Sequence, residues 1–212
     1  MLDEWSGESE EEGLAICHAF SLYETKRRVT KGNAVYELEM LSREFERIEH
    51  QYSAHPYVYY QQARILKELR QEKVIGDDYN DQIKSNYEKC LMMIDTPSFI
   101  RIKSTKTYPS VLWIFSMFLL ATDHLNEASR YAHDAVQNFQ QLGITSGDVN
   151  DALAIYGIAE AKLFPSEYRV NHLKIARDVF KKLSDKNGLA KNIENHRKQL
   201  GAELEKYKNI RS

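Results

Sequence analysis

The sequence holds few residues in the arrangements that catalysis or metal binding requires. None of its seven histidines forms an i, i+4 pair with another, and neither cysteine lies in ligand spacing with them. The acidic run from Asp77 to Asp81 lacks the glycine and the distal glutamate of a calcium loop. No glycine-rich phosphate loop, Gly-x-Ser-x-Gly elbow or pair of catalytic carboxylates is present. The sequence therefore predicts no catalytic residue, no metal ligand and no cofactor, and it favours a protein that is not an enzyme.

The net charge and the lengths of the apolar runs bear on whether the protein binds nucleic acid or a membrane. The chain has 212 residues and a formal charge of −2, which argues against a basic face for nucleic acid. Its first residues, Met1 to Glu8, are acidic and have no apolar core, so we expect no signal peptide. The longest apolar run, Val111 to Ala121, spans 11 residues and is too short to cross a bilayer. We expect a cytoplasmic protein that binds neither nucleic acid nor membrane, with Cys17 and Cys90 as buried free thiols.

Apolar residues recur at spacings of three and four along most of the chain, which is typical of amphipathic helices. In chain order, helices are predicted at about 9–28, 34–48, 57–71, 78–94, 111–122, 127–142, 149–163 and 168–183. The helix at 111–122 is apolar nearly all round, so it should be central and buried. Residues 99–108 are irregular, and we expect a loop there rather than a short strand.

Two adjacent helical hairpins, residues 109–142 and 148–183, match each other when the chain is shifted by 41 residues. The shift places Ser116 on Gly157, and it places Phe139 on Phe180. Self-similarity at such a spacing indicates an array of helical hairpins. The sequence predicts an all-α fold of about four hairpins and a C-terminal capping helix at 188–208. We expect residues 9–212 to form a single domain after a flexible acidic leader at 1–8.

The stretch LNEASRYAHDAVQNFQQLG, preceded by Ser116 and a turn at Asp123, resembles the second helix of a tetratricopeptide repeat. That repeat has a small residue midway along its first helix and two small residues seven apart in its second, here Ala128 and Ala135. The resemblance implies a right-handed α-α superhelix. The stretch IARDVFKKLSDKNGLAKNIENHRKQL is similar to the peptide-sensing C-terminal domains of Rgg-type Gram-positive transcriptional regulators. This second resemblance implies a signalling-peptide sensor or regulatory domain that dimerises.

Tetratricopeptide-like stacks bind their ligands along the first helix of each hairpin, so the resemblance implies a peptide groove. Carried over position by position, the candidate groove residues are Tyr57, Tyr60, Arg64, Lys67, Trp113, Met117, Leu120 and Ile158. An aromatic and aliphatic floor with two cations at one end suits an extended peptide with apolar side chains and a carboxylate. The alternative is that Trp113, Met117 and Leu120 pack in the core or against a second copy of the chain.

The leading hypothesis is a non-enzymatic helical-repeat module that binds a peptide or a protein segment. The hypothesis also allows the module to form a homodimer. One alternative is the effector domain of a transcription regulator that lacks its DNA-binding part and acts through a partner or through dimerisation. A second alternative is an enzyme of unrecognised type on a helical scaffold.

Overall fold

The computed structural model describes residues 55–71, 75–145 and 147–163, together with Trp5, Arg43, Glu44 and Arg47. Within these residues the chain forms five α-helices and two 3-10 helices and has no strand, which confirms the all-α prediction for this part of the chain. The helices predicted at 9–28, 168–183 and 188–208 lie outside the described residues, as does most of the helix at 34–48. The chain divides into two compact units, Met1–Thr107 and Tyr108–Ser212. The superhelical arrangement and the single domain over 9–212 stay predictions.

The first unit contains helix α1, Pro56–Gln71, and helix α2, Asn80–Ile94, which pack against each other. Proline suits the first turn of α1, where no intrahelical partner for its nitrogen exists. The ring Nδ1 of His55 accepts a hydrogen bond from the backbone N–H of Tyr57 at 3.2 Å, which satisfies one exposed donor of that turn. The core combines residues of both helices that are almost fully buried: Ala63, Leu66, Leu69, Ile83, Tyr87 and Ile94.

Short 3-10 helices flank α2. The first, Asp77–Tyr79, is tied to the end of α1 because the Arg70 guanidinium donates to the Asp77 carboxylate at 2.8 Å. The second, Ile100–Ser104, lies where we predicted a loop. Its three-residue turn brings Phe99 and Ile102 to the same side, and both are buried, at 8% and 1% exposed. Ile100 and Ile102 do not share a buried side, since Ile100 is 46% exposed.

The second unit contains helix α4, Leu125–Gln141, and helix α5, Gly147–Leu163, which pack against each other. Helix α3, Thr107–Ala121, begins at the last residue of the first unit and otherwise belongs to the second. It begins four residues before its predicted start at Val111. As predicted, most of α3 is buried, with Phe115, Phe118 and Leu119 at 0–2% exposed. The rings of Phe115 and Tyr131 lie 4.8 Å apart and join α3 to α4.

Helices α3 and α4 are each followed by a residue in the left-handed conformation. Gly143 has φ +67°, and the N–H of Ile144 donates to the Phe139 carbonyl at 2.9 Å, which confirms the predicted helix end. Asp123 takes the same role after α3, with φ 59°. Among the described residues, no helix combines the length and the apolar character that a membrane span requires.

Candidate functional site

Three aromatic rings meet on helix α1. Trp5, which the sequence placed in a flexible leader, is only 2% exposed and packs on Tyr57 and Tyr60. Its ring centroid lies 5.1 Å from that of Tyr57 in an edge-on arrangement and 5.4 Å from that of Tyr60 in a stacked one. The two tyrosines are 3% and 8% exposed. An aromatic side chain from 52 positions away therefore covers both tyrosines of the predicted groove.

Two cations continue the same stripe of α1. Tyr57, Tyr60, Arg64 and Lys67 follow one another at spacings of three, four and three, which places them along one side of a helix. The Arg64 guanidinium lies 5.5 Å from the ring centroid of Tyr60, within the range of a cation–π contact. Burial and then the neighbouring Arg64 charge lower the pKa of Lys67 to about 8, against a smaller opposing effect of Glu68. We call these four residues the aromatic–cation face.

Polar side chains are also buried on α1 and α2. Gln61 and Gln62 are 3% and 4% exposed, and in the described part of the chain neither side-chain oxygen has a hydrogen-bond partner. On α2, the side-chain nitrogen of the buried Asn86 also lacks one there. An unsatisfied buried polar atom typically costs about 1–3 kcal/mol. These buried polar side chains therefore lower the stability that the apolar core of α1 and α2 provides.

The other predicted groove residues lie in the second unit and are covered to different degrees. Leu120 and Ile158 are buried within that unit, at 3% and 2% exposed. For Leu120, burial agrees with the alternative that α3 packs in the core. Trp113 and Met117 are half-buried, and within the described residues the indole nitrogen of Trp113 is buried without a hydrogen-bond partner. Of the eight predicted residues, the four on α1 therefore form the best-defined candidate site.

Sequence reasoning missed a polar pocket between α4 and α5. Its polar lining residues are Asn126, Ser129, Arg130, His133, Tyr156 and Glu160. The Ser129 hydroxyl donates a hydrogen bond to the Glu160 carboxylate across the pocket. The signal was present as polar pairs four residues apart on each helix, Ser129 with His133 and Tyr156 with Glu160. It was not recognised because these pairs become one cluster only when the two helices pack.

No group of three or more histidine, cysteine, aspartate or glutamate side chains in the described ranges is arranged to hold a metal ion. Cys90 is a buried free thiol, as predicted, and burial raises its pKa far above the ordinary thiol value. It is therefore protonated and unsuited to nucleophilic attack. Cys17 lies outside the described residues.

No protein-family model matches this sequence, and no curated protein matches it.

Proposed function

We propose that this chain is a non-enzymatic, tetratricopeptide-like helical module that binds a peptide or protein segment on the aromatic–cation face of α1. The observation that carries the proposal is the docking of Trp5 on Tyr57 and Tyr60. It supports the assignment because these tyrosines accept an indole ring from a segment distant in sequence. A peptide from a partner could present the same ring in the same place.

The segment around Trp5 indicates the chemistry of the ligand. Its sequence, MLDEWSGE, surrounds the tryptophan with the carboxylates of Asp3, Glu4 and Glu8. The face supplies two tyrosine rings followed by Arg64 and Lys67, which can hold a carboxylate by charge-assisted hydrogen bonds. Large aromatic side chains provide most of the affinity at such surfaces. The proposed ligand class is therefore an acidic segment with one large aromatic anchor.

The covered state of the face implies a competition. A ligand that uses the two tyrosines must first displace Trp5, so binding requires the fraction of molecules in which Trp5 is undocked. The apparent affinity is reduced by that fraction, and any change that undocks Trp5 increases it. The N-terminal segment then acts as an internal competitor that sets the threshold for the partner.

Peptide binding in trans tests the proposal. A fluorescently labelled peptide with the sequence of residues 1–8 is titrated into the full-length Trp5→Ala protein and followed by anisotropy. We expect saturable binding, and a peptide with alanine in place of its tryptophan should bind at least about tenfold more weakly, as expected for loss of an aromatic anchor.

Two variants identify the face. Arg64→Gln in the Trp5→Ala background should weaken binding about tenfold, in the range expected for one charge-assisted contact. Lys89→Gln is the matched control, because the Lys89 ammonium lies 5.1 Å from the ring of Tyr59, a cation–π pair outside the face. We expect it to leave the affinity unchanged. A folded Trp5→Ala protein, verified by circular dichroism, that binds neither peptide would refute the proposal.

A further inference from the structure

The pocket between α4 and α5 is a second candidate binding site, separate from the aromatic–cation face. It is open to solvent and has a volume of about 290 Å³, at the lower end of the range for small-molecule sites. Each wall is a pair of side chains one helical turn apart, with Ser129 and His133 on α4 and Tyr156 and Glu160 on α5. The rings of His133 and Tyr156 lie 5.3 Å apart and close one end of the pocket.

The pocket has a fixed negative group. Glu160 is half-buried, and its carboxylate accepts the hydrogen bond of the Ser129 hydroxyl. This bond holds the carboxylate in the pocket and uses one of its two oxygens, which leaves the other for a ligand. Burial and then the charge of Glu160 raise the pKa of Tyr156, so this phenol stays neutral beside the carboxylate.

The pocket also has a positive group with no opposite charge of its own. The Arg130 guanidinium lies 4.5 Å from the ring centroid of the adjacent Tyr131, which orients it by a cation–π contact. Within the described ranges, no carboxylate forms a salt bridge with Arg130. The nearby pairs of Lys162 with Asp123 at 3.5 Å and of His133 with Asp134 at 4.0 Å involve neither Arg130 nor Glu160. A carboxylate and a guanidinium thus line one small pocket without neutralising each other.

We propose that this pocket binds a small zwitterion of the α-amino acid class, with its ammonium group on Glu160 and its carboxylate on Arg130. The guanidinium fork matches a carboxylate, and the free Glu160 oxygen matches an ammonium donor. The tyrosine ring adds a favourable surface for the cation, and Leu163, which also lines the pocket, offers an apolar contact for the ligand side chain. A phosphate would be repelled by Glu160, and a simple amine would leave Arg130 without a partner.

Thermal unfolding and calorimetry of the intact chain test this inference. Each of the twenty protein-forming amino acids is added singly at millimolar concentration, and any that raises the Tm is titrated by isothermal calorimetry. We expect at least one to bind. Its N-acetyl and its carboxamide derivatives, which remove one charge each, should bind the wild-type protein at least about tenfold more weakly, because each loses a charge-assisted contact.

Variants locate the site. Glu160→Gln and Arg130→Gln should each weaken binding of the same amino acid at least about tenfold, by loss of one charged contact. Asp148→Asn and Lys162→Gln each remove one charge from α5 at a residue that does not line the pocket, and these variants should bind as the wild type does. The inference is overturned if no amino acid changes the Tm or gives binding heat. It is equally overturned if the derivatives bind as tightly as the parent or if both pocket variants keep wild-type affinity.

Discussion

Under the proposal, replacing Trp5 by alanine should uncover Tyr57 and Tyr60, and the size of the effect follows from the burial of Trp5. A tryptophan that is 2% exposed removes about 200 Å² from water, worth about 5 kcal/mol at about 25 cal/mol per Å². Fixing the backbone and the side chain of Trp5 costs about 3 kcal/mol. The net docking free energy is then about 2 kcal/mol.

A docking free energy of about 2 kcal/mol leaves about one molecule in thirty undocked at room temperature. Trp5→Ala should therefore raise the affinity for the labelled peptide of residues 1–8 about thirtyfold over wild type. The same change should lower the free energy of unfolding by about 2 kcal/mol, since it deletes the same contact. Trp5→Phe keeps a smaller ring and should give intermediate values for both quantities.

Anisotropy titration measures the affinity, and urea denaturation measures the free energy of unfolding. The variant retains Trp113 as its single tryptophan, so fluorescence still reports unfolding. The competition is refuted if Trp5→Ala loses stability while its affinity for the peptide equals that of wild type. In that case Trp5 is part of the core and leaves no exchangeable site behind.

The remaining predictions concern stability and are measured by urea denaturation. Burial and then the nearby Asp148 raise the pKa of Asp151 to about 6, so stability should fall as pH rises from about 4 to 6, because the folded state binds the proton more tightly. Asp151→Asn should raise the free energy of unfolding by about 1 kcal/mol above pH 6 and leave it unchanged below pH 4. The value allows for the partial solvation of the carboxyl group. An equal gain at both pH values would contradict the prediction. The lowered pKa of Lys67, about 8, makes stability rise between about pH 8 and 10.5. Lys67→Met should abolish that rise, and an unchanged slope would exclude the residue as its source. Gly143→Ala should destabilise by about 1–2 kcal/mol through its positive φ alone, since an added Cβ meets nothing within 4 Å; a neutral variant would show that this turn relaxes.

Local structure between residues 56 and 163 was largely predictable because it depends on periodicity and on turn chemistry. The predicted helix at 57–71 is observed as Pro56–Gln71, and Gly143 ends α4 in the left-handed conformation expected of it. The start of α3 was missed because its predicted bounds followed the apolar run from Val111, whereas the first turn, which contains Pro109, is more polar and tolerates a proline. The 3-10 helix at Ile100–Ser104 was missed because residues 99–108 show no regular periodicity, which led us to expect a loop there.

The contacts that define the candidate sites were not predictable, because periodicity identifies the apolar side of a helix but not what covers it. Trp5 on Tyr57 and Ser129 on Glu160 join residues 52 and 31 positions apart, and no local pattern fixes either pair. Sequence reasoning selected Tyr57 and Tyr60 as ligand contacts from their position on α1, and the structure shows the Trp5 ring packed on both.

Burial alone does not separate a core from an occupied binding face, since both give the same exposed fraction for Tyr57 and Tyr60. The difference lies in the free energy of uncovering them. A core ring is exposed only by global unfolding, at about 5–15 kcal/mol, whereas undocking Trp5 should require about 2 kcal/mol. If the proposal holds, local opening at that lower free energy should populate the uncovered face in the native protein. Quenching of Trp5 emission by acrylamide in the Trp113→Phe variant, under conditions where urea curves show no unfolding, would reveal this opening. Protection equal to that of global unfolding would assign the three rings to the core.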